Sequence, residues 1–383
     1  MRTIILTLLA VSMAVTAVPA DESRTTLGDI PRTYSHYLNA QEAALCRANA
    51  ATGGIGSYFL NPASVTEISD IAGQATARYN VKTRDYLPDG EESLDASDDG
   101  FLFTQFVAVK RSGSAVIGFG YSNPSYRSLE ITGQRYHEEE LKGYEGTFSG
   151  ALRYFELIGA ARIGDHGQGG LGATVGIVNL SEEARERVVG EELNTARIDG
   201  IAACYSVGFS FDVTEAVTVG LGHRLSSTIG VDGEHYKSSR SGESVTQSAT
   251  VGGLRVRPTD AITVHASYVQ DGWDQAKSSL AAYETAYGDD AWKPFSETLR
   301  TVAVGVEVAL ADGKALVRAG YSRELGADID NAIVPENSMG LGGSFLFDQY
   351  VAELAVVRET FLEGGESGQV TNYGLYATVG YEF

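Results

Sequence analysis

The sequence predicts an all-β protein, a transmembrane antiparallel β-barrel of about 14 strands with an N-terminal luminal plug. Three observations predict this fold. Many segments alternate between apolar and polar residues, which indicates strands that have one apolar and one solvent-facing side. The connections between these segments alternate between short and long. The N-terminus has the pattern of an export signal.

The segment Val370–Phe383 shows the strand pattern most clearly. The residues on its apolar face are Tyr373, Leu375, Ala377, Val379, Tyr381 and Phe383. The opposite face carries small and polar residues, including Gly374 and Gly380. An apolar face that ends on aromatic residues, opposite a small polar face, is typical of a wall with lipid outside and water inside.

Residues 1–20 are predicted to be a signal peptide. Arg2 supplies the basic start, Ile4–Val18 is a short apolar run, and Val18-Pro19-Ala20 offers small residues for cleavage. The apolar run is too short to span a membrane, and no later segment approaches the ~20 consecutive apolar residues that a spanning helix needs. The exported chain is therefore expected to be soluble or a barrel. For a barrel, the expected location is the outer membrane of a Gram-negative-type bacterium.

Fourteen segments are predicted to be strands, most of them at or above the ~9–11 residues that a tilted spanning strand requires. They are Ile68–Asn80, Phe101–Lys110, Ala115–Asn123, Glu145–Ala161, Gly170–Leu180, Ala196–Phe211, Val217–Val231, Glu243–Arg257, Ala261–Tyr268, Thr298–Leu310, Ala315–Arg323, Met339–Phe347, Tyr350–Phe361 and Val370–Phe383. Tight turns such as Arg111–Ser114 alternate with long polar stretches such as Pro124–Tyr144 and Ser181–Thr195. A transmembrane barrel has short periplasmic turns and long outer loops, so its connections alternate in length. A soluble β-sandwich is not expected to have all its long loops at one end.

The composition excludes some functions. The formal net charge of -21 argues against nucleic-acid binding, which requires a basic surface. The chain has no GxSxG, HExxH or CxxC motif, so we expect no enzyme, no cofactor and no resident metal.

Two predicted outer loops are acidic. Their charged residues are Asp85, Asp89, Glu91, Glu92, Asp95, Asp98 and Asp99 in one loop, and Glu138, Glu139 and Glu140 beside His137 in another. Both loops are interpreted as solvated. The alternative is that divalent cations bridge them to the head groups of outer-membrane lipids, because Ca²⁺ and Mg²⁺ prefer oxygen ligands.

Residues 21–65 do not alternate and are predicted to fold back into the lumen as a plug, with the barrel spanning 66–383. A periplasmic tail is the alternative. The segment has an alanine-rich, helix-prone stretch at Asn39–Ala51, a Gly53-Gly54 break, and Asn61-Pro62-Ala63 just before the first strand. A fourteen-stranded barrel is too wide for its own wall side chains to fill, so a plug is expected.

These plug features resemble the N-terminal hatch of the FadL-type outer-membrane transporters of fatty acids and aromatic hydrocarbons. Gly113–Pro124, Asp212–Arg224 and Arg257–Tyr268 resemble the turn-and-strand units of that family. The resemblance implies a channel for passive uptake of hydrophobic small molecules such as long-chain fatty acids, with the plug as gate. A diffusion porin for polar solutes and a scaffold or secretion-associated barrel remain open as alternatives.

Alternation places a set of charged and polar side chains on the luminal face, since charges on the lipid face would cost ~2–4 kcal/mol at mid-membrane. The predicted site residues are Arg78, Arg153, Arg224, His265 and Arg318. In one interpretation the arginines hold an anionic substrate head group. In the other they form a structural lattice with carboxylates such as Glu307 and Glu353, because buried charges require partners.

The two cysteines, Cys46 and Cys204, are predicted to form a disulfide. Cys46 lies in the predicted plug. Alternation points Cys204 into the lumen, and the periplasmic side is oxidising. The alternative is that the two are unrelated small residues in packed sites.

Overall fold

The computed structural model describes residues 37–86, 93–97, 100–137, 140–164, 168–188, 191–235, 238–246, 248–272, 299–325, 334–362 and 369–382. Its strands are β1 Ile71–Tyr86, β2 Ser93–Ser97, β3 Gly100–Ser112, β4 Ala115–His137, β5 Glu140–Ile163, β6 Gly169–Val188, β7 Glu191–Thr214, β8 Val217–Arg224, β9 Thr228–His235, β10 Ser238–Val245, β11 Ser248–Thr259, β12 Ile262–Gly272, β13 Leu299–Leu310, β14 Ala315–Leu325, β15 Val334–Phe347, β16 Tyr350–Leu362 and β17 Gln369–Glu382. The predicted signal peptide lies outside these residues.

The strands form one antiparallel sheet that closes on itself, because β1 pairs with β3 on one side and with β17 on the other. Two wall strands are each interrupted once: β8 and β9 both pair with β7, and β10 and β11 pair with β9 and β8. The short β2 pairs only with the outer ends of β1 and β4. The wall therefore has fourteen strands, as predicted, and one extra strand.

Side chains alternate between the two faces of the wall. In β7, Ile201, Tyr205 and Val207 are exposed, whereas Cys204 and Ser206 are buried. The exposed apolar residues lie on the outer surface, where a membrane would cover them. The period of two in the sequence therefore predicted correctly which side chains of this strand face the lumen.

Several strands are longer than predicted. Most of the residues assigned to loops at Pro124–Tyr144 and Ser181–Thr195 continue β4 to β7, and pairing extends to His137 opposite Glu140 and to Val188 opposite Glu191. Part of the stretch Val81–Gly100, which lies between the first two predicted strands, also forms strand. Beyond the membrane both faces of a strand meet water, so the apolar alternation disappears although backbone pairing continues. The prediction of loops there was wrong for this reason.

The long strand extensions mark one end of the barrel, and this end is expected to face the cell exterior. An epitope tag inserted between residues 137 and 140, at the end of the β4–β5 hairpin, should be labelled by antibody on intact cells. A tag between residues 112 and 115, in the tight β3–β4 turn, should be labelled only after the outer membrane is permeabilised. Labelling of the second tag on intact cells would reverse the topology.

Residues 37–67, here called the luminal segment, lie inside the barrel. The segment contains a short helix, α1 Ala40–Ala44, and two 3₁₀ turns at Ile55–Ser57 and Pro62–Glu67. Helix α1 packs against β14 to β17, whereas the turn Pro62–Glu67 packs against β5 to β7 on the opposite side of the wall. The segment therefore crosses the lumen. Among the described residues, no helix is long and apolar enough to cross a membrane.

Candidate functional site

The luminal segment fits the wall because wall glycines face it. A Cβ built on Gly320 would collide with the backbone of Leu45, and one on Gly340 with the carbonyl oxygen of Ala43. On the other side of the barrel, a Cβ on Gly172 would meet the backbone of Pro62. Glycine on these inward positions lets the backbone of the segment approach the backbone of the wall.

Polar contacts fasten the end of the luminal segment to the wall. The Arg255 guanidinium contacts the Glu67 carboxylate at 3.1 Å. Arg111 and Arg162 both donate hydrogen bonds to the carbonyl oxygen of Thr66, the latter at 2.8 Å. These contacts hold the segment where it enters the first strand. At the other end of the segment, the Ala40 N–H at the start of α1 donates to Thr378 Oγ1 at 3.0 Å, and Thr104 Oγ1 donates to the carbonyl oxygen of Leu38 at 2.7 Å.

The predicted Asn61-Pro62-Ala63 motif forms a rigid junction. The Asn61 side chain accepts a hydrogen bond from the Ala63 N–H at 3.1 Å, which caps the 3₁₀ turn, and Pro62 occupies the first position of that turn. The same side chain donates to the carbonyl oxygens of Ala50 and Phe209 at 3.1 and 3.0 Å. Asn61 thus joins two parts of the luminal segment to β7.

A cavity that opens to solvent lies between the luminal segment and the wall. Nine of its lining residues are apolar or aromatic and four are charged. The apolar and aromatic ones are Leu38, Phe59, Leu60, Pro124, Leu152, Tyr154, Ala249, Val251 and Val269. The charged ones are Glu42, Arg47, Arg224 and Asp271. A mostly apolar cavity with a few polar groups is the usual form of a small-molecule site.

At the wall side of this cavity, Arg224 is held on three sides. Its Nη1 donates to Glu156 Oε1 at 2.8 Å, and its Nη2 donates to the carbonyl oxygen of Phe59 at 3.2 Å. The guanidinium carbon lies 3.7 Å from the ring centre of Phe59 and 4.8 Å from that of Tyr154. Glu156 is fully buried and also accepts a hydrogen bond from Thr174 Oγ1 at 2.6 Å. The charge of Arg224 is therefore already neutralised.

The other charged group of the cavity centres on Glu42. Its carboxylate accepts a hydrogen bond from the Leu38 N–H at 3.1 Å and lies 3.4 Å from Arg47 Nε. The Arg47 guanidinium also lies over the Tyr37 ring, 5.2 Å from its centre. Burial raises the pKa of Glu42, and the nearby Arg47 opposes this effect.

The predicted luminal arginines do not meet at one head-group site. Arg224 lines the cavity, but Arg318 pairs with Glu307 at 2.6 Å and Glu353 at 2.8 Å within the wall. The prediction that Arg153 faces the lumen was wrong: Leu152 and Tyr154 line the cavity, so alternation turns Arg153 to the other face, where it donates to Asn179 at 3.4 Å. Arg78 is buried on β1, opposite Tyr376 of β17. His265 is buried, and its Nδ1 lies 3.1 Å from Thr52 Oγ1. The contacts of Arg224 and Arg318 match the lattice interpretation better than the head-group interpretation.

Several residues in or beside the cavity were not predicted. Glu156 alternates with Tyr154 and Ile158 on the inner face of β5, so alternation could have found it. The predicted strand Ala261–Tyr268 ends before Asp271, which instead lies near the end of β12. Phe59 belongs to the luminal segment, where no strand period shows which way a side chain points.

The prediction of a Cys46–Cys204 disulfide was wrong, since both cysteines are free and buried. Cys46 packs with Tyr37, Val357 and Tyr376 near β16 and β17, whereas Cys204 lies on β7, on the other side of the barrel. Alternation predicts the face of a strand but not the position around the barrel. Burial also raises the pKa of the Cys46 thiol to about 12, which leaves little thiolate for exchange.

The wall is interrupted beside the cavity. The ladder between β3 and β4 stops at Gln105 opposite Ser122, and the next partners of β4 on that side are residues of β2, from Ser97 opposite Glu130. In between lies Pro124, which has no N–H to donate and which also lines the cavity. On the other side of β4, the register with β5 shifts between Ser122 and Ser125.

The described part of the chain contains no group of three His, Cys, Asp or Glu side chains that could hold a metal ion. The acidic stretches predicted as possible cation sites lie partly outside the described residues, including Asp89, Glu91, Glu92, Glu138 and Glu139. Cation bridging to lipid stays a prediction.

Solved structures share this architecture. The Ralstonia pickettii toluene transporter TbuX aligns at a TM-score of 0.68 and 13% identity, over 92% of this chain and 99% of that one. A Pseudomonas aeruginosa FadL homologue aligns at 0.64 and 14% identity, over 95% and 100%. The P. putida toluene transporter TodX aligns at 0.62 and 12% identity, over 92% and 99%. The chain has the FadL-type barrel fold. No protein-family model and no curated protein matches the sequence.

Proposed function

We propose that the protein is an outer-membrane channel for the passive uptake of hydrophobic small molecules, with the luminal segment as its gate. The observation that carries this proposal is the mostly apolar cavity between the luminal segment and the wall. The similar folds of two toluene transporters and a FadL homologue support it. Monoaromatic compounds and long-chain fatty acids are the candidate substrates at this stage.

The two alternative functions fit the described residues less well. A diffusion porin for polar solutes needs an open aqueous lumen, whereas here the luminal segment contacts opposite sides of the wall. A scaffold or secretion-associated barrel gives no reason for a cavity lined by Leu60, Leu152 and Val251. The interrupted wall at Pro124 favours a hydrophobic ligand in this proposal, because it lies between the cavity and the lipid.

Filling the cavity tests the proposal. The variant Ala249→Trp places a large ring at a lining position of β11, and it should lower the uptake of labelled toluene by cells that rely on this protein. The matched control is Leu254→Trp, on the same strand but with an exposed, lipid-facing side chain. Equal uptake by both variants and the wild type, at equal amounts of folded protein, would contradict a transport role for the cavity.

A further inference from the structure

We propose that the cavity selects neutral hydrophobic molecules that carry a hydroxyl group, of the alcohol or phenol type, and rejects alkyl carboxylates. This inference rests on the proposed uptake function. It narrows the substrate class, because it rejects the fatty-acid candidate and, among monoaromatic compounds, favours those that carry a hydroxyl group.

The first step is the charge around the cavity. Glu42 and Asp271 line it, and Glu156 lies directly behind Arg224, which gives three carboxylates against the two guanidinium groups of Arg47 and Arg224. The sum is one negative charge. The charged groups of the cavity therefore offer no net positive charge to a ligand carboxylate, whose desolvation would go uncompensated.

The second step is that the obvious anion-binding group is occupied. Both terminal nitrogens of Arg224 already donate to Glu156, at 2.8 and 3.3 Å, and one also donates to the carbonyl oxygen of Phe59. The aromatic rings of Phe59 and Tyr154 cover the guanidinium. A carboxylate ligand would have to displace Glu156, which is fully buried. The paired Arg224 therefore presents no net charge to a ligand in the cavity.

The third step concerns Asp271. Its carboxylate lines the cavity at the outer end of β12, where the guanidinium of Arg47, another lining residue, attracts it electrostatically without a hydrogen bond between the two described side chains. Its neighbours in the lining are mostly apolar, including Val251, Val269 and Leu38. An acceptor with spare capacity in an apolar cavity favours a ligand with one O–H donor and an apolar body. A hydrocarbon would leave that acceptor unpaired, and a carboxylate would repel it.

Equilibrium dialysis on the full-length protein in lipid nanodiscs, with empty nanodiscs subtracted, tests this at neutral pH. The probes are labelled 1-hexanol, hexanoate and toluene. The wild type should bind 1-hexanol at least about tenfold more tightly than hexanoate. Equal or tighter binding of hexanoate would overturn the inference and leave the uptake function standing. If none of the three probes binds, the uptake function itself fails.

Two variants test the assigned residues. Glu156→Gln removes the partner charge of Arg224, so hexanoate binding should strengthen by about tenfold while toluene binding changes little. The matched control is Glu307→Gln, which makes the same change at the Arg318 pair, away from the cavity lining. It should leave all three affinities unchanged. An equal gain of hexanoate binding in the control would contradict the role of the Arg224–Glu156 pair.

The second variant also covers the case in which Glu156→Gln does not fold. Asp271→Leu removes the free acceptor and should weaken 1-hexanol binding by about tenfold without weakening toluene. Loss of both ligands would show that Asp271 supports the cavity as a whole and does not single out the hydroxyl group, and loss of neither would show that it does not bind the ligand. Either result overturns the inference.

Discussion

Deletion of residues 21–60 is expected to leave a folded barrel with a large and steady ionic conductance, where the intact protein is nearly silent. The wall strands pair with each other around a complete circle, so closure does not depend on the deleted residues. Their removal empties the part of the lumen that α1 and the Ile55–Ser57 turn occupy. The side chains of a fourteen-stranded wall cannot fill this space.

The measurement is single-channel recording in planar bilayers, with folding checked by circular dichroism and by resistance of the barrel to unfolding in cold detergent. The cavity-filling variant Ala249→Trp serves as a control, since it alters the lumen without opening it. An unchanged conductance in a correctly folded deletion variant would show that the segment does not close the channel.

Alternation in the sequence predicted the wall because the membrane imposes it. Lipid on one side and water on the other select opposite residue types at successive positions, as at Ile201, Ala203 and Tyr205 outside and Cys204 and Ser206 inside. The same physics placed Arg224 and Arg318 on the luminal face, because an unpaired charge cannot face lipid. The direction of each side chain depends only on its own strand and its surroundings, so it can be predicted from one sequence.

The features that the sequence did not predict depend on which strands face each other across the lumen. Alternation put Cys204 in the lumen but could not show that Cys46 packs against β16 and β17, on the far side. It likewise predicted an inward Arg224 but not its partner Glu156, which is three strands away in the wall. Outside the membrane, lipid no longer selects apolar residues for one face of a strand. Strand extensions such as those around His137 and Glu140 therefore have the sequence pattern of loops.

Two adjacent glycines of β11 allow the close fit of the luminal segment to be tested. Gly253 faces the segment, and a Cβ built there would lie 2.7 Å from the Cβ of Ala50 and 2.7 Å from the backbone nitrogen of Ala51. Gly252 faces the other way, and a Cβ built there has no atom within 4 Å. Its cross-strand neighbours, Leu221 and Tyr268, are exposed on the outer surface.

The variant Gly253→Val is therefore expected to lower the free energy of unfolding by ~1–3 kcal/mol, as overpacking does in a tightly packed interior. It should also raise the conductance, because the nearest atoms include backbone of the luminal segment, which can only move away as a unit. The variant Gly252→Val should leave the conductance unchanged and should be neutral or slightly stabilising, since valine suits a strand better than glycine.

Urea unfolding in lipid vesicles and single-channel recording measure the two effects on the same pair of variants. The comparison is matched because both substitutions add the same side chain at neighbouring positions of one strand. Adding Ala50→Gly to Gly253→Val should not restore the closed channel, since two of the three nearest atoms, Ala51 N and Ala50 C, belong to the backbone. Full rescue by that second change would show that the fit depends on one methyl group. Equal behaviour of the two valine variants would show that the luminal segment does not rest on this glycine, and the gate would have to be sought elsewhere in the lumen.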